Sequence, residues 1–159
     1  MQPRTNRIAA FLLCASLLIC AGGRAQDSER RIKLKDLPTA VRKTVDEQSQ
    51  GATLRGLSKE VENGKTFYEA ELKIDGHNKD VLIDASGTVV EIEEQVALAS
   101  LPPNVKATLD KAVGNGKILR IESITKNNSI EAYEAHVNKA GKRSEIKVAA
   151  DGQLITREK

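Results

Sequence analysis

The phrase Tyr-Glu-Ala occurs twice in this 159-residue chain, at Tyr68-Glu69-Ala70 and at Tyr133-Glu134-Ala135, and a glycine closes each copy at the same distance, Gly76 or Gly141. An internal repeat constrains a fold more tightly than any single motif, because each copy must form the same unit and that unit must tolerate a neighbour like itself. The match reaches upstream: laying residues 37–45 over 101–109 keeps Leu37/Leu101, Pro38/Pro102, Val41/Val105 and Thr44/Thr108 in register, with Arg42 over Lys106. After a shift of one residue it continues with Leu54-Arg55 over Leu119-Arg120 and runs to Ala85-Ser86-Gly87 over Ala150-Asp151-Gly152.

Each copy opens with a helical pattern. Leu37, Ala40, Val41, Thr44 and Val45 follow the i, i+3, i+4 spacing of one buried face, with Pro38 at the entry and Gly51 at the exit; Leu101, Val105, Thr108, Leu109 and Ala112 repeat it before Gly114 and Gly116. The period then drops to two. Tyr68, Ala70, Leu72 and Ile74 alternate with Glu69, Glu71 and Lys73, and Val81, Ile83 and Ala85 alternate with Asp80, Leu82 and Asp84. Asn63-Gly64, Asp75-Gly76, Ser86-Gly87, Asn127-Asn128, Ala140-Gly141 and Asp151-Gly152 supply the positive φ that tight hairpins need. The pattern predicts strands over 53–62, 66–74, 79–85 and 88–95, then 118–126, 130–139, 143–149 and 153–157; the first strand of each copy alternates poorly.

The fold class is therefore α+β: two tandem α-β-β-β-β repeats, 37–96 and 97–159, with the helices packed on one face of an antiparallel sheet. A unit of roughly 60 residues buries only about 60% of its unfolded surface, so the copies are expected to share a core or a continuous sheet. Residues 26–36 read as an N-terminal tail, and the charged run Ser28-Glu29-Arg30-Arg31 as its solvated part.

Arg4 and Arg7 precede an apolar run without acids from residue 8 to 21, the pattern of a secretory signal peptide spanning 1–25, with cleavage expected after Ala25. A lipoprotein anchored through Cys20 is the alternative, although Ile19 is larger than the residue such a site wants before its cysteine. Cys14 and Cys20 both lie in this segment, so the exported chain is left without disulfide or thiolate chemistry. Arg4, Arg7 and Arg24 leave with it, which takes the formal charge from +3 to zero. Nucleic-acid binding then lacks its electrostatic footprint, and no stable membrane insertion of the mature chain is expected. The compartment is periplasmic or secreted.

No chemistry-bearing constellation emerges. His77 and His136 are the only histidines, whereas a metal centre needs three or four converging ligands. His77 falls in the turn Asp75-Gly76-His77-Asn78 and reads as a solvated hairpin residue; His136 reads as a surface histidine beside Glu134. Glu91, Glu93 and Glu94 on one short strand read as a charged edge that blocks strand addition. No serine stands in a nucleophile elbow and every glycine is accounted for by a turn or a helix exit. Residues 139–143 read as a hairpin tip. The expectation is no enzyme, no cofactor and no metal.

Leu-Pro opening a helix, Tyr-Glu-Ala on a strand, a glycine hairpin, and Asp-Ala-Ser-Gly or Ala-Asp-Gly before a last strand together resemble the PepSY-like domains, and more closely the tandem beta-lactamase-inhibitor-like group of exported bacterial proteins. The likeness covers residues 33–156. It implies an exported two-repeat protein with helices packed on one face of an antiparallel sheet; some relatives are protease propeptides or inhibitors that bind enzymes, and most have no known role. The inhibitors carry aromatics on the open sheet face and disulfides, whereas here only Phe67, Tyr68 and Tyr133 are aromatic beyond the leader, and only Phe67 points outward by alternation. The reading is a monomeric, non-enzymatic binding module of the cell envelope, an inhibitor or modulator of a protease or another envelope enzyme acting through its open sheet face. Phe67, Glu69, Glu71, Lys73, Glu134 and His136 are its candidate partner-binding residues. The alternative is a ligand- or metal-responsive sensor.

Overall fold

The computed structural model describes residues 28–155; the expected signal peptide, the cleavage after Ala25 and the Cys20 anchor lie outside them. In chain order the elements are β1 (Ser28–Arg31), α1 (Thr39–Gln48), β2 (Thr53–Glu62), β3 (Lys65–Ile74), β4 (His77–Asp84), β5 (Val89–Gln95), α2 (Pro103–Val113), β6 (Lys117–Lys126), β7 (Ser129–Lys139), β8 (Lys142–Ala149) and β9 (Leu154–Ile155). All nine strands form one antiparallel sheet in sequence order. Short 3-10 turns at Leu34–Asp36 and Leu98–Ser100 lead into the helices. Among the described residues no helix is long and apolar enough to cross a membrane.

The hairpins form where the sequence supplies positive φ. Asn63-Gly64 (φ 49° and 76°), Asp75-Gly76 (48° and 86°) and Ala140-Gly141 (52° and 81°) carry the two left-handed residues whose twist matches that of paired strands. Both helices cross the same face of the sheet. Val41 and Val45 of α1 close over Leu57, Tyr68, Ala70, Leu72, Val81 and Ile83, while Val105, Leu109 and Val113 of α2 close over Ile121, Tyr133, Ala135, Val137 and Val148. The two repeats thus keep separate apolar cores and are joined by the sheet, through β5 against β6. Each helix is also tied to its last hairpin: the Thr44 hydroxyl donates to the Gly87 carbonyl at 2.6 Å, and Thr108 does the same to Gly152 at 2.7 Å.

Three expectations change. The run Ser28–Arg31 is a strand whose side chains are exposed but whose backbone pairs with Ser58–Val61 of β2, so an exposed charged segment is nevertheless held by sheet hydrogen bonding. The repeats also align differently. Leu57 opposes Ala70 as Ile121 opposes Ala135, so β2 and β6 continue the register of the helices, with Arg55 over Leu119 and Gly56 over Arg120. The extra residue of the second copy is taken up in β7, where the ladder steps from Ile130 to Ala132 past Glu131. The bulges at Leu54/Gly56 and Ile118/Arg120 explain why these strands alternate poorly in sequence. Finally, β5 is an interior strand, so Glu91, Glu93 and Glu94 are no edge: once β6 pairs with β5, its outward acids lie in the middle of a nine-stranded face.

Candidate binding face and its buried charge network

Residues opposite one another in a ladder share a face, so the register assigns the helix-free side of the sheet. It carries Ser58 and Glu60 of β2, Phe67, Glu69, Glu71 and Lys73 of β3, and Asp80 and Leu82 of β4. It continues through Glu91 and Glu93 of β5, Arg120, Glu122 and Ile124 of β6, Ala132, Glu134 and His136 of β7, and Glu145 and Lys147 of β8. All six candidate partner-binding residues stand on this face, but in two groups. Four lie on β3 and two on β7, with three strands between them, about 19 Å apart at the usual strand spacing.

The strip between those groups is the part that the sequence does not reveal. Leu82 of β4 and Ile124 of β6 are buried there although no helix covers them, as is Ala132 beside Ile124 on β7. Glu91, 5% exposed, is paired with Lys126 Nζ at 2.7 Å. Glu71, Asp80 and Glu93 stand directly opposite one another across three strands, an arrangement of like charges that costs stability. Burial, with the charges of Glu91, Glu122 and Glu134 acting against the opposing pull of Lys147, pushes the Glu93 carboxyl from 4.5 up to about 9. Glu60 is raised to about 7 by burial and by Glu69, Glu29 and Glu62. A carboxyl raised on folding binds a proton that the unfolded chain gives up. Its contribution to stability is therefore full below about 4.5 and is lost as pH rises toward 7 for Glu60 and 9 for Glu93.

On the second copy the face is organised around Glu122, whose side chain is 1% exposed. Its Oε1 lies 2.8 Å from Arg120 Nε and its Oε2 lies 2.8 Å from His136 Nε2. His136 is also flanked by Glu134 Oε1, 3.7 Å from Nε2, and by Glu145 Oε1, 3.6 Å from Nδ1, while Lys147 Nζ reaches Glu134 at 3.3 Å. The imidazole, 21% exposed, is thus a network residue and not the surface histidine that alternation implies. The hydrogen bond to Glu122 holds its pKa above 6.5 against the burial that would lower it, with the charges of Glu122, Glu134 and Glu145 adding to the rise. Donor atoms of Glu134, His136 and Glu145 approach within 4.8 Å of one another, but Lys147 Nζ already lies against Glu134 and Nε2 of the imidazole lies against Glu122 and Arg120, so no metal is assigned. A second acidic group, Glu29, Glu60 and Glu69, holds only carboxylates. His77 is exposed at the start of β4, on the turn that the sequence predicts.

What the arrangement offers is a set of charged groups fixed by register and by one another. Sequence reasoning missed Arg120, Glu122 and Glu93 because the first two sit beyond a bulge and the third gains Ile124 and the Glu122 side of the face only through the β5–β6 junction.

No protein-family model matches this sequence, and no curated protein matches it. Solved structures do match the fold. A BLIP-like protein from Bacteroides fragilis aligns with a TM-score of 0.56 at 19% identity over 77% of this chain and 85% of its own. A protein from Bacteroides eggerthii, named only as a periplasmic candidate, aligns at 0.62 with 13% identity over 77% of this chain and 88% of its own. A DUF2874-family protein from Bacteroides ovatus aligns at 0.58 with 17% identity over 76% and 85%. The chain therefore has the BLIP-like α+β fold, with two helices on one side of an open antiparallel sheet.

Proposed function

We propose that this chain is an exported, non-enzymatic binding module of the cell envelope that presents its helix-free sheet face to a protein partner. The observation that carries the reading is the chemistry of that face. It sets like charges opposite one another and encloses ionisable groups, both of which cost stability and neither of which the core needs. Support for the compartment comes from the export segment and from the periplasmic naming of the B. eggerthii protein. Support for binding comes from the shared BLIP-like fold and the PepSY-like likeness of the repeats.

The face is poor in aromatics: Phe67 is its single aromatic anchor among the described residues. Recognition would rest on charge complementarity, with the partner contributing the anchoring side chains. A modulator of a protease or of another envelope enzyme fits this description better than a metal-responsive sensor, because Glu122 and Glu134, two of the carboxylates against His136, already have Arg120 and Lys147 as cationic neighbours.

The test is affinity capture from envelope extract with the exported chain beside a variant carrying Phe67→Ala, Glu69→Lys and Glu134→Lys. Both charge reversals lie on this face and leave both apolar cores intact. A protein held by the parent and lost by the variant is the expected result. One held equally by both would remove the sheet face as the binding surface.

A further inference from the structure

His136 Nε2 has two partners of opposite character. Glu122 Oε2, an acceptor, lies 2.8 Å away, and Arg120 Nη2, a donor, lies 2.9 Å away. A ring nitrogen presents either a proton or a lone pair in its plane, never both. With a proton on Nε2 the imidazole donates to Glu122 and faces Arg120 donor to donor; without one it accepts from Arg120 and faces Glu122 acceptor to acceptor. The two short contacts are therefore mutually exclusive hydrogen bonds.

Arg120 and Glu122 also hold each other, Nε to Oε1 at 2.8 Å, with Glu122 buried and Arg120 17% exposed. Thus the histidine reads the two ends of one buried ion pair. We propose that His136 is a proton-operated selector in the sheet face: protonated, it is held by the anionic end of the Arg120–Glu122 pair; neutral, it moves to the cationic end.

The surroundings favour this exchange over simple loss of a charge. Nδ1 faces Glu145 Oε1 at 3.6 Å on β8, which favours keeping the proton of the neutral ring on Nδ1 and so leaves Nε2 as the acceptor that Arg120 needs. The other groups facing the site are Glu134, held by Lys147, and Asn138 on β7 itself, Arg143 opposite Asn138 on β8, and Gln95 and Glu93 on β5 beside Glu122 and Ile124 of β6. Among the charged groups in direct contact with the imidazole, Arg120 is the single cation, so only it can hold a neutral imidazole by donating to it. The raised pKa of His136 agrees with an anion-held charged state.

The consequence for binding rests on the reading proposed above. Deprotonation removes the positive charge that Glu134 and Glu145 face, which makes the β7–β8 part of the face one unit more negative. Capture of a partner that brings cationic groups there tightens as pH rises through the His136 titration, by about 3- to 10-fold for one unit charge near a protein surface.

The experiment has two independent arms. Nitrogen-15 NMR of the exported chain, followed from about pH 5 to about pH 9 across the histidine range, reads the ring tautomer through its long-range couplings and the Arg120 side chain directly. The expected result is a doubly protonated His136 that gives way to the Nδ1–H tautomer, with the Arg120 resonances shifting at the same midpoint. A neutral ring that settles as the Nε2–H tautomer, or an Arg120 that ignores the titration, would overturn the selector. His136→Gln is the companion variant, because an amide offers a donor and an acceptor at one end and satisfies both partners without titrating. It should fold and abolish the Arg120 response.

In the second arm, capture by the parent chain should tighten with pH and capture by His136→Gln should not. Capture that depends on the sheet face yet ignores pH, or weakens with rising pH, would overturn the regulation and leave the binding module standing. Capture indifferent to the Glu69→Lys and Glu134→Lys reversals would remove that module, while the tautomer result would still decide the selector.

Discussion

Where the first copy has Gly56 the second has Arg120, and two residues along Ser58 faces Glu122 across the repeat; in the neighbouring strand Glu71 corresponds to His136, and in the next Leu82 corresponds to Lys147. On the helix side the same registers pair Val41 with Val105, Val45 with Leu109, Leu57 with Ile121, Tyr68 with Tyr133, Ala70 with Ala135 and Ile83 with Val148, all buried. One side of the duplicated unit is thus nearly repeated and the other nearly rewritten. The physical reason for the first half is packing: a helix must seat against each sheet, and volume changes of even a methylene are felt in a close-packed interior. The open face is under no such constraint, so its differences express what each half presents. In the first copy Arg31, reaching over from β1, supplies a cation above Gly56 and pairs with Glu71 at 2.7 Å. In the second copy the strand carries its own, Arg120, and the pair is buried.

The largest effect that would sharpen this contrast is at the Ser58/Glu122 position. Removing the Glu122 carboxylate by Glu122→Ala leaves Arg120 and His136 facing each other without their shared anion, and breaking a buried pair by deleting one partner costs about 3–5 kcal/mol. The equivalent Ser58→Ala removes one hydroxyl that donates to Glu69 at 3.1 Å, a loss of about 1 kcal/mol. Denaturant unfolding of the two variants should differ several-fold in destabilisation. Equal losses would show that the buried charge on the second copy is not what holds that half of the face.

The inner side was legible because core residues declare themselves by period: both helices and the well-alternating strands of the meander follow from apolar spacing, and glycine and asparagine turns bound the first strand of each copy. The outer side was only half legible. Alternation places Glu69, Glu71, Glu134 and His136 on it, as the ladder does. It cannot say that β5 pairs with β6, and that single long-range choice converts Glu93 from a solvated edge residue into a carboxyl held protonated to about pH 9. Nor does it reveal bulges, which have no period of their own; the one at Ile118/Arg120 hid the residue on which the second network turns. Ser28–Arg31 was missed for a related reason, since its pairing is all backbone and its side chains, being exposed, leave no pattern.

An intermediate effect tests the repeated half of the comparison. Gly87 and Gly152 both sit at φ +90° beneath the first turn of a helix, each with its carbonyl held by a threonine. A side chain at that φ is strained in either copy, by about 1–3 kcal/mol. The obstacles differ, however. A Cβ at Gly87 would meet the Ala40 carbonyl oxygen at 2.8 Å and its carbon at 2.9 Å, both backbone, whereas one at Gly152 would meet Asn104 Nδ2 at 2.9 Å, which can turn away, and the Asn104 Cβ at 3.0 Å, which alone cannot. Gly87→Ala should therefore lower the thermal midpoint more than Gly152→Ala, by a margin of about 1 kcal/mol expressed at the midpoint. Equal shifts would mean that the helix in the first copy moves as freely as an asparagine rotamer.

The smallest effect concerns the Gly56/Arg120 position itself. Gly56 does not lie in the left-handed region, so alanine is allowed by the backbone there and would ordinarily favour the strand. Its Cβ would instead intrude on the Arg31 guanidinium and stand 2.8 Å from Glu71 Oε2. Those are side-chain ends, so the arginine yields and the Arg31–Glu71 pair is lost. Both partners are substantially exposed, and such a pair contributes no more than about 1 kcal/mol, so global stability should scarcely change. The local effect is the informative one. β1 is held by its ladder to β2, by the adjoining Ile32 N–H to the Leu57 carbonyl at 3.0 Å, and by this pair, so losing the pair should speed hydrogen exchange at Ile32 while leaving Val81 protected. Arg31→Ala should give the same acceleration, and Gly56→Ala added to it should give no more. If the double variant exchanged faster than either, Gly56 would be acting on the strand itself, and the borrowed arginine would not be the first copy's substitute for Arg120.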